Sequence, residues 1–368
     1  MVRPTYIEID IDALAHNAKR VKQCCPGQKI IAMVKADAYG CGLALTVPTL
    51  SHQVDAFGVA CLEEARVVRQ LTTKPCVLFQ GVFSQDEFQW VSSLELDCVI
   101  HHADQLTWLL NTTLPNPVRI WVKVNTGMHR LGFQPDEVYD VLLLLSQCQW
   151  VHPDIGLMTH IACADEPEHP QNQLQLDIFS ALNLPADMHV IRSIGNSAWI
   201  LSRPKSVYDV VRPGIMLYGV SPMAASNGAD FNLRPVMRFI SSISVIHDYP
   251  PGVPIGYGGT WRSEAASRIG VVAVGYGDGY PRHITENTPV WIRGSVAPIV
   301  GRVSMDMLTV DLTSLPDVEV GDRVELWGEH LPVEVIARAA GTIAYELICQ
   351  VSPRVRDRAR IVSMYEEK

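Results

Sequence analysis

Eight short apolar runs alternate with stretches of helical periodicity over the first two thirds of this 368-residue chain. The runs fall at residues 30–35, 56–60, 76–80, 96–100, 119–125, 154–160, 189–193 and 207–211, and residues 62–70 and 135–148 are examples of the helical spacing between them. Parallel strands cannot be joined by a tight turn, so alternation of this kind is the mark of βα crossovers. Eight such units in about 200 residues fit a closed β/α (TIM-type) barrel better than an open sheet.

The texture changes after Phe231. Segments of β type follow one another at 239–247, 268–274, 289–292, 297–300, 307–311 and 323–327, separated by turns such as PPG and VGD, with a short helical interruption near 333–340. The expected fold is therefore α/β, an N-terminal eight-stranded parallel barrel over residues 1–233 followed by a mostly-β domain over 234–368. Residues 7–12 alternate apolar and acidic side chains, so residues 1–12 read as a strand that can pack with the β domain.

Formal net charge is −9 and no basic run exceeds two residues, which removes the electrostatic basis for binding nucleic acid. No apolar stretch approaches bilayer length, and the first twelve residues hold no apolar signal core. The nine cysteines are scattered without a C-x-x-C, and His101-His102 has no partner at ligand spacing. The expectation is a cytoplasmic protein with reduced thiols, no metal centre and no membrane partner.

The stretch IIAMVKADAYGCG ends an apolar strand on Lys35. Lysine loses its hydration at large cost when buried, yet strand alternation places Ile31, Met33 and Lys35 on one face, at the C-terminal mouth where barrel enzymes react. A desolvated lysine there is a usable amine; an ordinary lysine would snorkel to solvent. Other strand ends carry matching features. Lys123 and Arg130 bracket VNTGMH, cations suited to a carboxylate or to a solvated edge. His160 closes the next run, either as a site residue or as a bonded core histidine. GNSA at 195–198 reads equally as a phosphate cradle or as a helix cap. RPGIMLYG at 212–219 closes the eighth strand, where barrels often hold phosphate. The glycine-rich GYGDGY at 275–280 departs from a dinucleotide loop in spacing and is followed by Pro281, so it is set aside.

Taken in order, AMVKADAYGCG, VKVNTGMHRLGF, MTHIACAD, GNSAW, RPGIMLYG, IGYGGTW, VGYGDGY, PIVGRVSMDM and GTIAYELICQ resemble the motifs of bacterial alanine racemases along almost the whole chain. The resemblance implies a barrel followed by a β domain and pyridoxal 5′-phosphate (PLP) as cofactor, carried by Lys35. It implies that Tyr39, Ser197, Gly214 and Ile215 meet the cofactor phosphate with Asn196 beside them. It also implies that Arg212 faces the pyridine nitrogen and that His160 links this arginine towards a catalytic tyrosine. That tyrosine is Tyr257, in IGYGGTW, which the family supplies from the other subunit, so a homodimer with active sites at the subunit interface follows. Lys35 and Tyr257 would be the two bases, for D- and L-alanine respectively. Arg130 and the backbone of Met305 match contacts to the substrate carboxylate. Tyr276 matches a substrate-side tyrosine, and Asp306 lies near it. Lys123 matches a lysine that is carbamylated in the family.

Two positions depart from that pattern. Asn125 stands where many members carry Asp, removing a negative charge near Lys123, and Pro353 falls where some members have a tyrosine near the phosphate. The activity implied is interconversion of L- and D-alanine, supplying D-alanine for peptidoglycan. The alternatives are a serine or broad-specificity racemase, a PLP decarboxylase of the same architecture, and a PLP carrier without turnover. The decarboxylases place a cysteine late in the β domain, where this chain has Ser304-Met305-Asp306.

Overall fold

Strands covered on both faces read as unbroken apolar runs, and all eight runs of the first region become strands. The computed structural model describes residues 3–363. After β1 (Tyr6–Asp10) come β2 (Lys29–Met33), β3 (Ala56–Val59), β4 (Cys76–Leu78), β5 (Asp97–Ile100), β6 (Ile120–Lys123), β7 (Ile155–Met158), β8 (Val190–Ser193) and β9 (Val210–Val211). From β2 to β8 each strand pairs in parallel with the next, β9 pairs in parallel with β2, and a bridge between Gly195 and Val211 brings the two ends together. The result is the expected closed barrel.

Its interior is filled from every strand. Ile31, Ala56, Val77, Val99, Trp121, Met158 and Val210 form one buried cluster, with Ile191 of β8 packed against it. The largest of these, Trp121, needs Gly156 opposite: a Cβ there would lie 2.2 Å from the indole. The helix Leu62–Leu71 shows why the crossovers fold as they do. It opens on Glu63 and Glu64 and has Arg69 in its last turn, matching the helix dipole, and it buries Ala65 and Val68.

The second region is organised by the thirteen-residue β10 (Met237–Tyr249). Beyond it lie β11 (Pro254–Ile255), β12 (Trp261–Arg262), β13 (Ser267–Val272), β14 (Pro289–Ile292), β15 (Ser295–Val300), β16 (Leu308–Asp311), β17 (Arg323–Trp327) and β18 (Arg360–Val362). Hydrogen-bonded neighbours run β13-β16-β15-β14-β17-β10, and β10 pairs again with β13, which closes a ring of six antiparallel strands. A register shift between Ile243 and Val245 lets one strand turn from one partner to the other.

The strand at the N-terminus joins this second sheet. β1 pairs antiparallel with β10 and parallel with β18, and Arg323 donates to both oxygens of Glu8 at 2.8 Å. Asp10, the last residue of β1, then caps the helix Ile11–Cys24 by accepting from the amides of Asp12 and Ala13. The sequence does not announce the helices Ala344–Gln350 and Pro353–Arg356 or the β11–β12 hairpin, all of which are short. Among the described residues no helix is long and apolar enough to cross a membrane.

Candidate active site

Lys35 does not end β2 as pleat alternation suggests. The strand stops at Met33, and the next four residues after the lysine, Ala36, Asp37, Ala38 and Tyr39, all take left-handed φ of 51–54°. A left-handed turn costs about 1–2 kcal/mol per non-glycine residue, because Cβ crowds the following carbonyl. Neighbouring groups hold it in place. Ala38 donates to Val34 O at 2.8 Å, Gly40 to Ala36 O at 3.0 Å, and Asp37 Oδ1 accepts from Leu43 N at 2.9 Å. The amide of Ala36 donates to Glu64 Oε1 at 2.7 Å.

This turn delivers Lys35 into a cavity of about 490 Å³ at the C-terminal mouth of the barrel. Lys35, Tyr39, Lys123, Arg130, His160, Asn196, Ser197, Arg212, Gly214 and Ile215, all expected from the sequence, line it together. Four of them, Lys35, Lys123, Arg130 and Arg212, are cations drawn from the ends of three strands, β2, β6 and β9, and the loops that follow them. Burial and the charge of Arg130 lower the pKa of Lys35 below the ordinary lysine value, against a smaller opposing effect of Glu64. Lys123 is brought down to about 8 by burial, then by Arg212, Arg130 and Lys35. Burial lowers Arg212 to about 10, which leaves it charged at neutral pH. Burial and the same cations hold the His160 imidazole well below its usual range, so it is neutral there. Crowded positive charge of this kind is relieved by an anionic occupant.

The phosphate-binding expectation can be tested on the donors present. Ser197 opens the helix Ser197–Ser202, and Asn196 caps it by accepting from Trp199 N at 2.9 Å. The Ser197 hydroxyl accepts from Gly214 N at 2.8 Å, which brings the two loops following β8 and β9 together. A Cβ on Gly214 would lie 2.5 Å from the Tyr39 hydroxyl, so only glycine leaves that corner open. Tyr39 is itself stacked on Tyr218, with ring centroids 4.6 Å apart. Hydroxyls, amides and a glycine-shaped opening, on the rim of a cationic cavity, fit a phosphate ester attached near Lys35.

A buried polar network holds the opposite wall. Arg212 donates to Ser193 Oγ at 2.5 Å and to Thr159 O at 2.7 Å. Thr159 and Thr126 share a hydrogen bond at 2.7 Å. Gln175, fully buried, donates to Thr126 Oγ1 at 3.1 Å and to His160 O at 3.0 Å and accepts from Ala162 N at 2.9 Å. The link from Arg212 therefore runs to the backbone just before His160, whose ring faces the cavity beside it. None of Ser193, Thr159 and Gln175 stands out in the sequence, because isolated Ser, Thr and Gln carry no local pattern.

The two departures also resolve. Asn125 Oδ1 accepts from His129 N at 2.9 Å and Gly127 N at 3.2 Å, so the side chain caps the turn that carries Arg130. Pro353 begins the helix Pro353–Arg356 and is not among the cavity-lining residues. Tyr345, in the preceding helix, lines the cavity and packs on Tyr39 with ring centroids 6.2 Å apart. Its motif GTIAYELICQ is recognisable, but the tyrosine itself is not singled out by reading the sequence.

The remaining expected residues lie elsewhere. Tyr257, in the β11–β12 connection, is 64% exposed and lies outside the cavity, as do Met305 and Tyr276. Tyr276 and Met305 are neighbours: Tyr276 N donates to Ser304 O at 3.0 Å and Gly277 N to Met305 O at 2.8 Å. Arg354 binds both Asp278 and Asp306 at 2.8 Å, and Arg3 adds a 2.6 Å contact to the fully buried Asp278, which fixes this corner of the β domain.

Family models described as the N-terminal and C-terminal domains of alanine racemase match residues 9–222 and 236–359. An alanine racemase of Legionella pneumophila (strain Lens) is 59% identical over 357 residues, 97% of this chain and 99% of that protein. One from Haemophilus influenzae is 44% identical over 355 residues, 96% and 98% of the two chains. Among solved structures, the biosynthetic alanine racemase of Pseudomonas aeruginosa superposes with a TM-score of 0.92 at 41% identity, covering 98% of this chain and all of that one. The alanine racemase of Acinetobacter baumannii gives 0.89 at 40% identity, with 98% and 100% coverage.

Proposed function

The chain belongs to the alanine racemase family, and from that premise we propose how its own residues interconvert L- and D-alanine. The family's cofactor is PLP. The observation that carries the reading is the cavity itself, in which Lys123, Arg130 and Arg212 surround a lysine held by a strained turn.

Tyr39, Ser197, Asn196, Gly214 and Ile215 would hold the cofactor phosphate, and Lys35 would carry the cofactor. Bound PLP supplies a conjugated ring that spreads the charge left when the α-carbon loses its proton. Arg212, a buried cation on the cavity wall, would disfavour a second positive charge on the cofactor's pyridine nitrogen. Ser193 and Thr159 keep it from turning away.

Racemisation needs a proton removed at one face of the α-carbon and delivered to the other. Lys35 Nζ serves the face of D-alanine. Its lowered pKa leaves more of the amine neutral and able to accept a proton. Tyr257 serves the opposite face for L-alanine, and Arg130 with the Met305 amide orients the carboxylate while Tyr276 lines the substrate side. Tyr257, Met305 and Tyr276 are exposed and lie outside the cavity of their own chain. We therefore propose a homodimer in which these three complete the partner's cavity.

Lys123 is proposed to react with carbon dioxide. Its neutral amine adds to the carbon and releases a proton to solvent, leaving a carbamate. A pKa of about 8 keeps a useful share of the neutral amine near neutral pH, and the new negative charge would hold Arg130 instead of repelling it. We also propose that the barrel and β domains divide near residue 233, and that the enzyme works in the cytoplasm to supply D-alanine for peptidoglycan.

Incubation with PLP and L-alanine in heavy water, read by chiral chromatography and mass spectrometry, tests the assignment. D-alanine carrying solvent deuterium at the α-carbon is expected. Equal turnover of L-serine would make the enzyme a broad racemase, and an amine product lacking its carboxylate would overturn racemisation.

A further inference from the structure

The left-handed turn after Lys35 needs an anchor that the β2–β3 ladder does not provide. The ladder's last bond runs from Val34 N to Gly58 O at 2.8 Å, after which the two chains separate. Beyond that point one carboxylate spans the gap: Glu64 Oε1 accepts from Ala36 N at 2.7 Å and Oε2 accepts from Ala60 N at 2.8 Å. Ala36 is the first of the four left-handed residues and is bonded directly to Lys35. Glu64 is placed by the first turn of the helix Leu62–Leu71, with Ala65 beside it fully buried. Both carboxylate oxygens are thus engaged by backbone, and the group cannot follow the lysine if the turn relaxes.

We propose that Glu64 is a positioning residue for Lys35: by tying Ala36 to Ala60 it holds the left-handed turn that aims the lysine amine into the cavity. The inference rests on Lys35 being the cofactor-carrying base. The same carboxylate also offsets Arg130 as a nearby charge acting on the amine. Asp37 is a second, weaker brace, with Oδ1 on Leu43 N at 2.9 Å and Oδ2 3.4 Å from Arg356. The clamp and the strain are complementary, because a conformation disfavoured by its own residues persists only when its surroundings impose it.

Full-length Glu64→Gln, Glu64→Ala and Ala36→Gly proteins, together with the double variant of the last two, test this. Glu64→Ala should slow attachment of PLP to the cofactor-stripped chain, followed by absorbance, and lower kcat by roughly tenfold to a hundredfold, with KM for alanine changed far less. Ala36→Gly in the Glu64→Ala background should recover much of both losses, since glycine adopts this backbone without strain. Glu64→Gln keeps the length and one acceptor but removes the charge. In the stripped chain it should move the pH midpoint for labelling Lys35 with an amine reagent downward, whatever reaction the enzyme catalyses. Should Glu64→Ala not fold, Glu64→Gln and Ala36→Gly still decide the matter. Wild-type attachment rates and an unmoved labelling midpoint would overturn the proposal while leaving racemisation intact. Absence of any attachment at Lys35 in the unaltered protein would instead overturn the functional reading.

Discussion

The barrel mouth and the Tyr257 face of the β domain carry the two proposed bases in opposite ways. Lys35 lines the cavity at the barrel mouth, held in a strained turn among other cations, and desolvation there and Arg130 lower its pKa, although its side chain still reaches solvent in the single chain. Tyr257 is 64% exposed on a two-strand hairpin. A group set in its own chain's charged cavity acquires its chemistry from that chain's packing, whereas one on an open hairpin acquires it only when another surface covers it. On the reading proposed here, the chain folds a complete cofactor cradle but only half of a proton-transfer site.

The largest effect should come from Lys35→Ala, which removes both the cofactor attachment and one base. Turnover in both directions should fall below detection, and the absorbance of attached cofactor should vanish. Tyr257→Phe should leave that absorbance intact and cut L-to-D turnover by about 10²–10⁴-fold, the usual worth of a positioned acid or base. Near-normal rates would remove Tyr257 from the mechanism. Mixing these two inactive variants is the sharpest test of the comparison. If the tyrosine completes the partner's cavity, reassorted dimers contain one intact site, and activity should return to roughly a quarter of wild type. No recovery after verified subunit exchange would place both bases in one chain.

A smaller effect is expected at Gln175→Leu. The helix face stays filled, but the tie between Thr126 and the His160 backbone is lost. Arg130 sits on the turn that follows Thr126, so KM for alanine should rise severalfold with little loss of attached cofactor. The smallest effect concerns stability. Lys123 titrates at about 8 in the folded chain against 10.5 ordinarily, so between those values the unfolded chain binds more protons and stability rises with pH. Its unfavourable burial is fully present below pH 8. Lys123→Met should therefore raise the Tm of the cofactor-free protein by a few degrees at pH 7 in carbonate-free buffer, with the gain shrinking towards pH 10.5. A gain independent of pH would show that the lysine titrates alike in the folded and unfolded chains.

The barrel was legible because a parallel strand buried on both faces leaves runs such as those at 30–34 and 119–124, and eight of them admit few closures. The site was legible first through strand ends, which singled out Lys35, Arg130 and the segment opening on Arg212, and then through motif resemblance, which implied a role for each. What could not be read was non-local. Nothing in Ala36-Asp37-Ala38-Tyr39 announces left-handed backbone, since no glycine is present and the conformation is imposed by Glu64 and its neighbours. Tyr345 was missed because a seven-residue helix leaves no clear period, and Gln175 because one glutamine among several in a polar helix looks like any solvated residue.

The placement of β1 also bears on how the molecule is made. Residues 6–10 are made well before the segments they pair with, 237–240 in one ladder and 360–362 in the other. The strand must therefore wait until β10 is made for its first neighbour and until β18 is made for its second. During that time an apolar strand with two open edges is available for wrong pairings. The barrel that follows it can close on local crossovers as it emerges, whereas the strand's own capture requires both β10 and β18 to have been made. A substitution that weakens β18 should then appear less as lost activity in the finished enzyme than as a lower yield of folded chains.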